Sequence, residues 1–105
     1  MPNSLSVDQA AIQVTNTSNS YSEMSHYKKT LLLSKLGEAH RMLIEGNCRN
    51  LDSATRLRSA YKTILRQTRD PILNGALRQD IHQMDEFIGQ RTSIVYYLLY
   101  RVGGI

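Results

Sequence analysis

Tryptophan is absent from this sequence, cysteine and phenylalanine occur once each, and proline only twice. The lone Cys48 excludes an internal disulfide and offers no cysteine-rich zinc cluster. With so little proline and six glycines, and with strand-type alternation scarce, the composition favours helices. No basic-then-apolar leader opens the chain, so no cleaved secretory signal is expected. Long apolar runs are missing as well. The longest, Ile94-Val95-Tyr96-Tyr97-Leu98-Leu99-Tyr100, stops at Arg101, well short of the roughly 20 residues a bilayer demands. There is no glycine-rich phosphate loop, no nucleophile elbow and no paired-carboxylate constellation. These absences predict a protein that is not an enzyme and takes no cofactor or small-molecule substrate.

Positive charge is missing from the first 26 residues, which hold Asp8 and Glu23 but no Lys or Arg. All thirteen basic residues lie beyond, against seven acids, so the remainder carries a net charge of +6. A basic body suggests an acidic partner, a nucleic acid or an anionic surface. The 105 residues make one domain at most, with a thin core. A soluble, cytoplasmic protein is the default expectation, with non-classical secretion as the alternative.

Eleven of the first 26 residues are Ser, Thr or Asn, and the apolar ones (Leu5, Val7, Ile12, Val14) are scattered. Such a segment buries too little to offset its ordering entropy, so residues 1–19 read as a disordered polar tail, with a single helical domain over 20–105. The domain is expected to open at Ser20, where Ser20-x-x-Glu23 has the form of a capping box. Leu32, Leu36, Ala39 and Leu43 follow in steps of four, three and four, one apolar stripe that Gly46-Asn47 stops. A second helix runs from about Leu51, capped by Asn50 or Asp52, to Arg69. Its core arc is Ala54, Leu57, Tyr61, Ile64 and Leu65. In the third, Asp70 is the N-cap and Pro71 the first helical residue. Leu77, Ile81, Met84, Ile88, Val95, Leu98 and Val102 then keep a heptad register broken only by Arg91, until Gly103-Gly104. The fold class is therefore all-α: an elongated helical hairpin or three-helix bundle with a long, coiled-coil-like C-terminal helix. Helices two and three meet almost without a loop, which leaves a hairpin and a kinked rod both open.

The chemistry-bearing residues are few. Glu23-x-x-His26 is half of a di-iron helix pattern whose other half is absent. His82 and Glu86 sit one helical turn apart, a pairing that on a solvated face holds no metal. No metal site is expected. Arg56, Arg58, Lys62, Arg66 and Arg69 form a basic ridge beside the core arc of the second helix, the expected contact for nucleic acid or an acidic partner. No helix-turn-helix spacing, zinc finger or RNA-recognition motif accompanies it.

The second surface is the end of the third helix. Val95, Leu98 and Val102 lie on the heptad seam, while Ile94, Tyr96, Leu99 and Tyr100 lie off it. A helix apolar on every side must be covered on every side, which predicts a protein–protein interface. The order of a polar leader, a short helix, an Asp70-Pro71 turn and a long C-terminal helix (with Leu73, Ile81, Met84, Phe87 and Val95) is similar to type III secretion needle and inner-rod subunits. The uncharged, Ser/Asn-rich leader is also similar to those of type III secretion substrates. The likeness covers about a third of the chain, which is longer at its N-terminus than typical needle subunits. It implies a secreted structural subunit. The function expected first is a non-enzymatic helical interaction protein (an assembly subunit, adaptor or chaperone) binding a partner or itself through its C-terminal helix. A basic nucleic-acid-binding protein using 51–69 is the alternative, and a secreted rod-type subunit the third.

Overall fold

The three stripes found by periodicity are helices, and a fourth helix precedes them. The computed structural model describes residues 3–46 and 51–91, with side chains from residue 7 onward. Helix α1 spans Asn3–Ser18, a single 3-10 turn follows at Tyr21–Glu23, and α2 spans His26–Glu45. Helix α3 covers Leu51–Gln67 and α4 covers Pro71–Arg91. No strand occurs among the described residues. Helix α3 is central: α1 and α4 pack on it most extensively and α2 packs mainly on α1. The principal extents of 42 × 36 × 20 Å describe a slab about two helices deep; the expected extension of the last helix to Val102 lies outside the described residues.

The caps show why the helices begin where they do. Asp70 Oδ1 accepts from the backbone N–H of Ile72 at 2.9 Å, capping α4 so that it starts at Pro71. Helix α3 ends at Gln67, two residues short of Arg69, so Thr68–Asp70 makes a tight connection and α3 and α4 form a hairpin. At the other expected start the signal misleads. Ser20 makes no side-chain capping bond, and the turn at Tyr21–Glu23 intervenes before Ser25 caps α2 by accepting from Lys28 N–H at 3.2 Å. Asp52 lies inside α3 as its second residue, and Asn50 lies outside the described residues.

Residues 3–18 depart furthest from the sequence reading, which makes them a disordered tail. They form α1, and Val7, Ala11, Val14 and Ser18 are all 2% exposed or less. These positions are spaced four, three and four apart, and Tyr21 follows three later, also buried. Ala11 and Ser18 contribute so little hydrophobicity that the stripe hides in a polar composition. Small side chains nonetheless let a helix lie close to its neighbours. Polar bonds hold it: Thr15 Oγ1 donates to the Arg56 carbonyl at 3.1 Å, and buried Ser53 donates its hydroxyl to Asp8. Gln67 closes the far end, donating to the Ser18 carbonyl at 3.1 Å and accepting from Ser22 N–H at 2.7 Å. That satisfies a helix-terminal carbonyl that would otherwise lack a partner.

The predicted core is otherwise as placed. Leu32, Leu36, Ala39 and Leu43 are buried on α2, and Ala54, Leu57, Tyr61 and Ile64 on α3, with Leu65 half-buried. On α4 the heptad positions Leu77, Met84 and Ile88 are buried and Ile81 is packed at the edge. Arg91, the residue that breaks the heptad, lays its guanidinium over the Phe87 ring, 3.6 Å from the centroid. The rest of the register, from Val95 to Val102, lies outside the described residues.

Two glycines sit in helix interiors with room to spare. A Cβ at Gly37 in α2 or at Gly75 in α4 meets nothing within 4 Å. Gly37→Ala and Gly75→Ala are each expected to stabilise the fold by about 0.5–1 kcal/mol, by reducing the entropy of the unfolded chain. Thermal denaturation followed by circular dichroism reads this as a raised midpoint.

Candidate functional site

The most distinctive surface feature is a furrow between α2 and α4. Helix α4 runs antiparallel to α3, as their hairpin requires, and the residues lining the furrow occur in the same order along α2 and α4. These two helices flank α3 without packing extensively on one another. Near the start of both helices the furrow opens into a cavity of about 810 Å³. Leu33 of α2 and Ile72, Leu73 and Ala76 of α4 supply its apolar walls, and the Thr68–Asp70 connection closes its end. Ile72 is 84% exposed, an unusual setting for an isoleucine. His26, Lys29 and Arg69 stand around it. The Lys29 ammonium sits 5.1 Å from the centroid of Tyr21, whose buried ring forms part of the same wall. Burial raises the Tyr21 hydroxyl above its ordinary value, against a hydrogen bond with Thr68 that lowers it, and nearby Asp70 raises it further.

Further along, α2 and α4 border a second, shallower recess lined by Gly37, His40, Ile44, Asp80 and Gln83, with Arg41 and Glu45 at its edge. Here three helices share a polar cluster. His40 Nδ1 of α2 lies 2.7 Å from the Tyr61 hydroxyl of α3, with the two rings edge to face at 5.7 Å. Asp80 of α4 is close enough to act electrostatically on both. Burial lowers the His40 imidazole below its ordinary value, and the Asp80 carboxylate opposes this. Burial, helped by Asp80, raises the Tyr61 phenol well above its own. Asp80 itself is raised by burial, with His40 acting the other way. A neutral imidazole bonds the phenol as either acceptor or donor, but a protonated one only as donor.

The signs give a pH profile. The unfolded chain protonates His40 first, near pH 6.5, so its contribution is complete above that and lost as pH falls toward the lower folded value. Tyr61 behaves oppositely. The unfolded phenol ionises near pH 10, so its stabilisation is present below that and lost above. Asp80, raised in the fold, contributes below about pH 3.8 and loses that as pH rises through its folded value, which partly offsets His40 on acidification. His40→Gln should flatten the decline below about pH 6.5, and Tyr61→Phe the decline above about pH 10. Urea titrations across pH check both.

The basic ridge of α3 does not stay together. Arg58 turns into the α3–α4 contact and pairs with Asp85, its side chain only 18% exposed. Lys62 is half-buried, Arg56 and Arg66 are exposed on α3, and Arg69 belongs to the furrow. Reversing the charge at Arg58 would set two carboxylates together, so that position reports on folding as much as on binding. The interface residues Ile94, Val95, Tyr96, Leu98, Leu99, Tyr100 and Val102 lie outside the described residues, as does Cys48. Glu23 and His26 fall on the 3-10 turn and on the first residue of α2, not on one helix face. His82 Nε2 and Glu86 Oε1 stand 3.8 Å apart, both well exposed. No three potential metal ligands cluster among the described residues. No helix there is long and apolar enough to cross a membrane.

Periodicity misses the furrow and the His40–Tyr61–Asp80 cluster, because each joins helices distant in sequence. The one available signal was Gly37, an unforced helix breaker within a regular stripe. No family model matches the chain, and neither does any curated protein or solved structure.

Proposed function

We propose that this protein is a non-enzymatic helical interaction module, an assembly subunit, adaptor or chaperone that packs on a protein partner or a second copy of itself. The segment Ile94–Val102 is its principal contact. One observation supports this reading above others. In the α3–α4 hairpin, the register set by Arg58 and Asp85 brings the first residue of α3 level with the end of α4 at Arg91. The helix that covers α4 therefore gives out where the apolar run of the sequence begins. Eight large apolar or aromatic side chains lie between Ile94 and Val102 in the sequence, and a run that dense calls for burial. At about 1.5–3 kcal/mol for each such side chain fully buried, leaving them in water would favour aggregation.

Leu98→Asp tests the reading. An unpaired charge in that contact costs several kcal/mol of desolvation, enough to dissociate an oligomer. Light scattering should show a smaller particle, or loss of a bound partner, while circular dichroism shows helicity retained. A wild-type protein already monomeric, and unfolded by the same substitution, would make Ile94–Val102 part of the molecule's own core.

A further inference from the structure

We infer that the furrow between α2 and α4 is a second docking site, and that its occupant is an acidic amphipathic helix of a partner protein. This rests on the interaction-module reading but uses a different surface. The two recesses lie in line along α2, from His26 to Ile44, a span of eighteen residues or about 27 Å at the helical rise, the length of a five-turn helix. The recesses follow one another along both helices, the first lined by Leu33, Leu73 and Ala76 and the second by Gly37, His40, Asp80 and Gln83. Gly37 stands in the middle with nothing within 4 Å of a Cβ, so a helix backbone can come close there.

Charge names the occupant. The first turn of α2 carries His26, Lys28 and Lys29 and no acid, although the helix dipole is positive at that end. Arg69 adds a further cation across the furrow. The single acid among the lining residues of the wider cavity, Asp70, is engaged in capping α4. In the second recess Asp80 and Glu45 stand with His40 and Arg41, so the carboxylates of the occupant belong over the wider cavity. Carboxylates on a docked helix would relieve this crowding while its apolar face covers Leu33, Ile72 and Leu73. A nucleic acid would meet the cations but leave Ile72 in water. The chain's own residues 92–105 contain no Asp or Glu and so lack the charge that the wider cavity calls for.

Fluorescence anisotropy with a labelled helical peptide of about five turns, Leu on one face and Glu on the other, tests this. A second peptide has Lys in place of every Glu. The wild-type protein should bind the Glu peptide and not the Lys peptide. Lys29→Glu combined with Arg69→Glu should weaken the Glu peptide at least about tenfold and reverse the preference, as rim charges set partner choice. Gly37→Gln, which favours the helix and so spares the fold, should weaken binding of the Glu peptide about tenfold by filling the furrow. The proposal is overturned if the wild type binds neither peptide, binds both equally, or keeps its Glu-peptide affinity after the charge reversal. Displacement of the Glu peptide by a DNA duplex at equal charge concentration also overturns it, in favour of nucleic acid. Failure here with Leu98→Asp still dissociating the protein removes the furrow and leaves the interaction module standing.

Discussion

Val14→Asp is expected to remove much of the stability of the folded protein. Val14 is 2% exposed, in the middle of the α1 stripe that packs on both α2 and α3. A carboxylate placed there is taken out of water, and the polar side chains nearest it, Gln13, Thr17 and Lys35, only line a shallow recess beside the buried position. An uncompensated buried charge costs about 3–5 kcal/mol, much of the 5–15 kcal/mol that holds a typical domain together. Urea denaturation followed by circular dichroism should show a midpoint reduced by more than half. Backbone amides of 3–18 should lose their protection from hydrogen exchange before those of α3. An unchanged midpoint would return the first 19 residues to a loose tail. Ile12→Asp, on the same helix but at a position 42% exposed, serves as the control and should cost far less.

Leu57→Ala should be the most damaging simple truncation. Leu57 is fully buried on α3, the helix that α1, α2 and α4 all contact. Removing three buried carbons loses their transfer free energy and leaves a cavity that three surrounding helices cannot all collapse into. Leu→Ala at such sites costs about 3–5 kcal/mol. The denaturation slope should stay constant while the midpoint falls, the mark of lost stability without a changed unfolded state. Ile72→Ala, on the exposed wall of the furrow, should change stability by no more than about 0.5 kcal/mol. The contrast between these two positions separates core from surface. Retained stability in Leu57→Ala would mean that α3 is not the centre of the bundle.

What could be read from the sequence is what depends on a single helix. Leu32, Leu36, Ala39 and Leu43 announce their burial by spacing alone, because a period of 3.6 residues brings them to one face whatever lies opposite. The same holds for Ala54, Leu57, Tyr61 and Ile64, and for Leu77, Met84 and Ile88. Asp70-Pro71 marks the start of α4 because capping acts within three residues. The all-helical class of the described residues follows from these local facts.

The tertiary structure decided whatever depends on two helices at once. Val7, Ala11, Val14 and Ser18 carry the same spacing as the α2 stripe, but with too little hydrophobicity to form a helix alone. Only the presence of α2 and α3 makes their burial worth its entropy. Arg58 and Asp85 stand 27 residues apart, so a ridge of cations on α3 loses one member to a pair that no reading of α3 contains. His40, Tyr61 and Asp80 each belong to a different helix. The His40–Tyr61 bond, the electrostatic reach of Asp80 and the shifted protonation of all three come from burial between those helices, and burial is set by packing. The furrow is the clearest case. It exists because α2 and α4 both pack on α3 and leave a gap between themselves, a property of the arrangement that neither helix has alone.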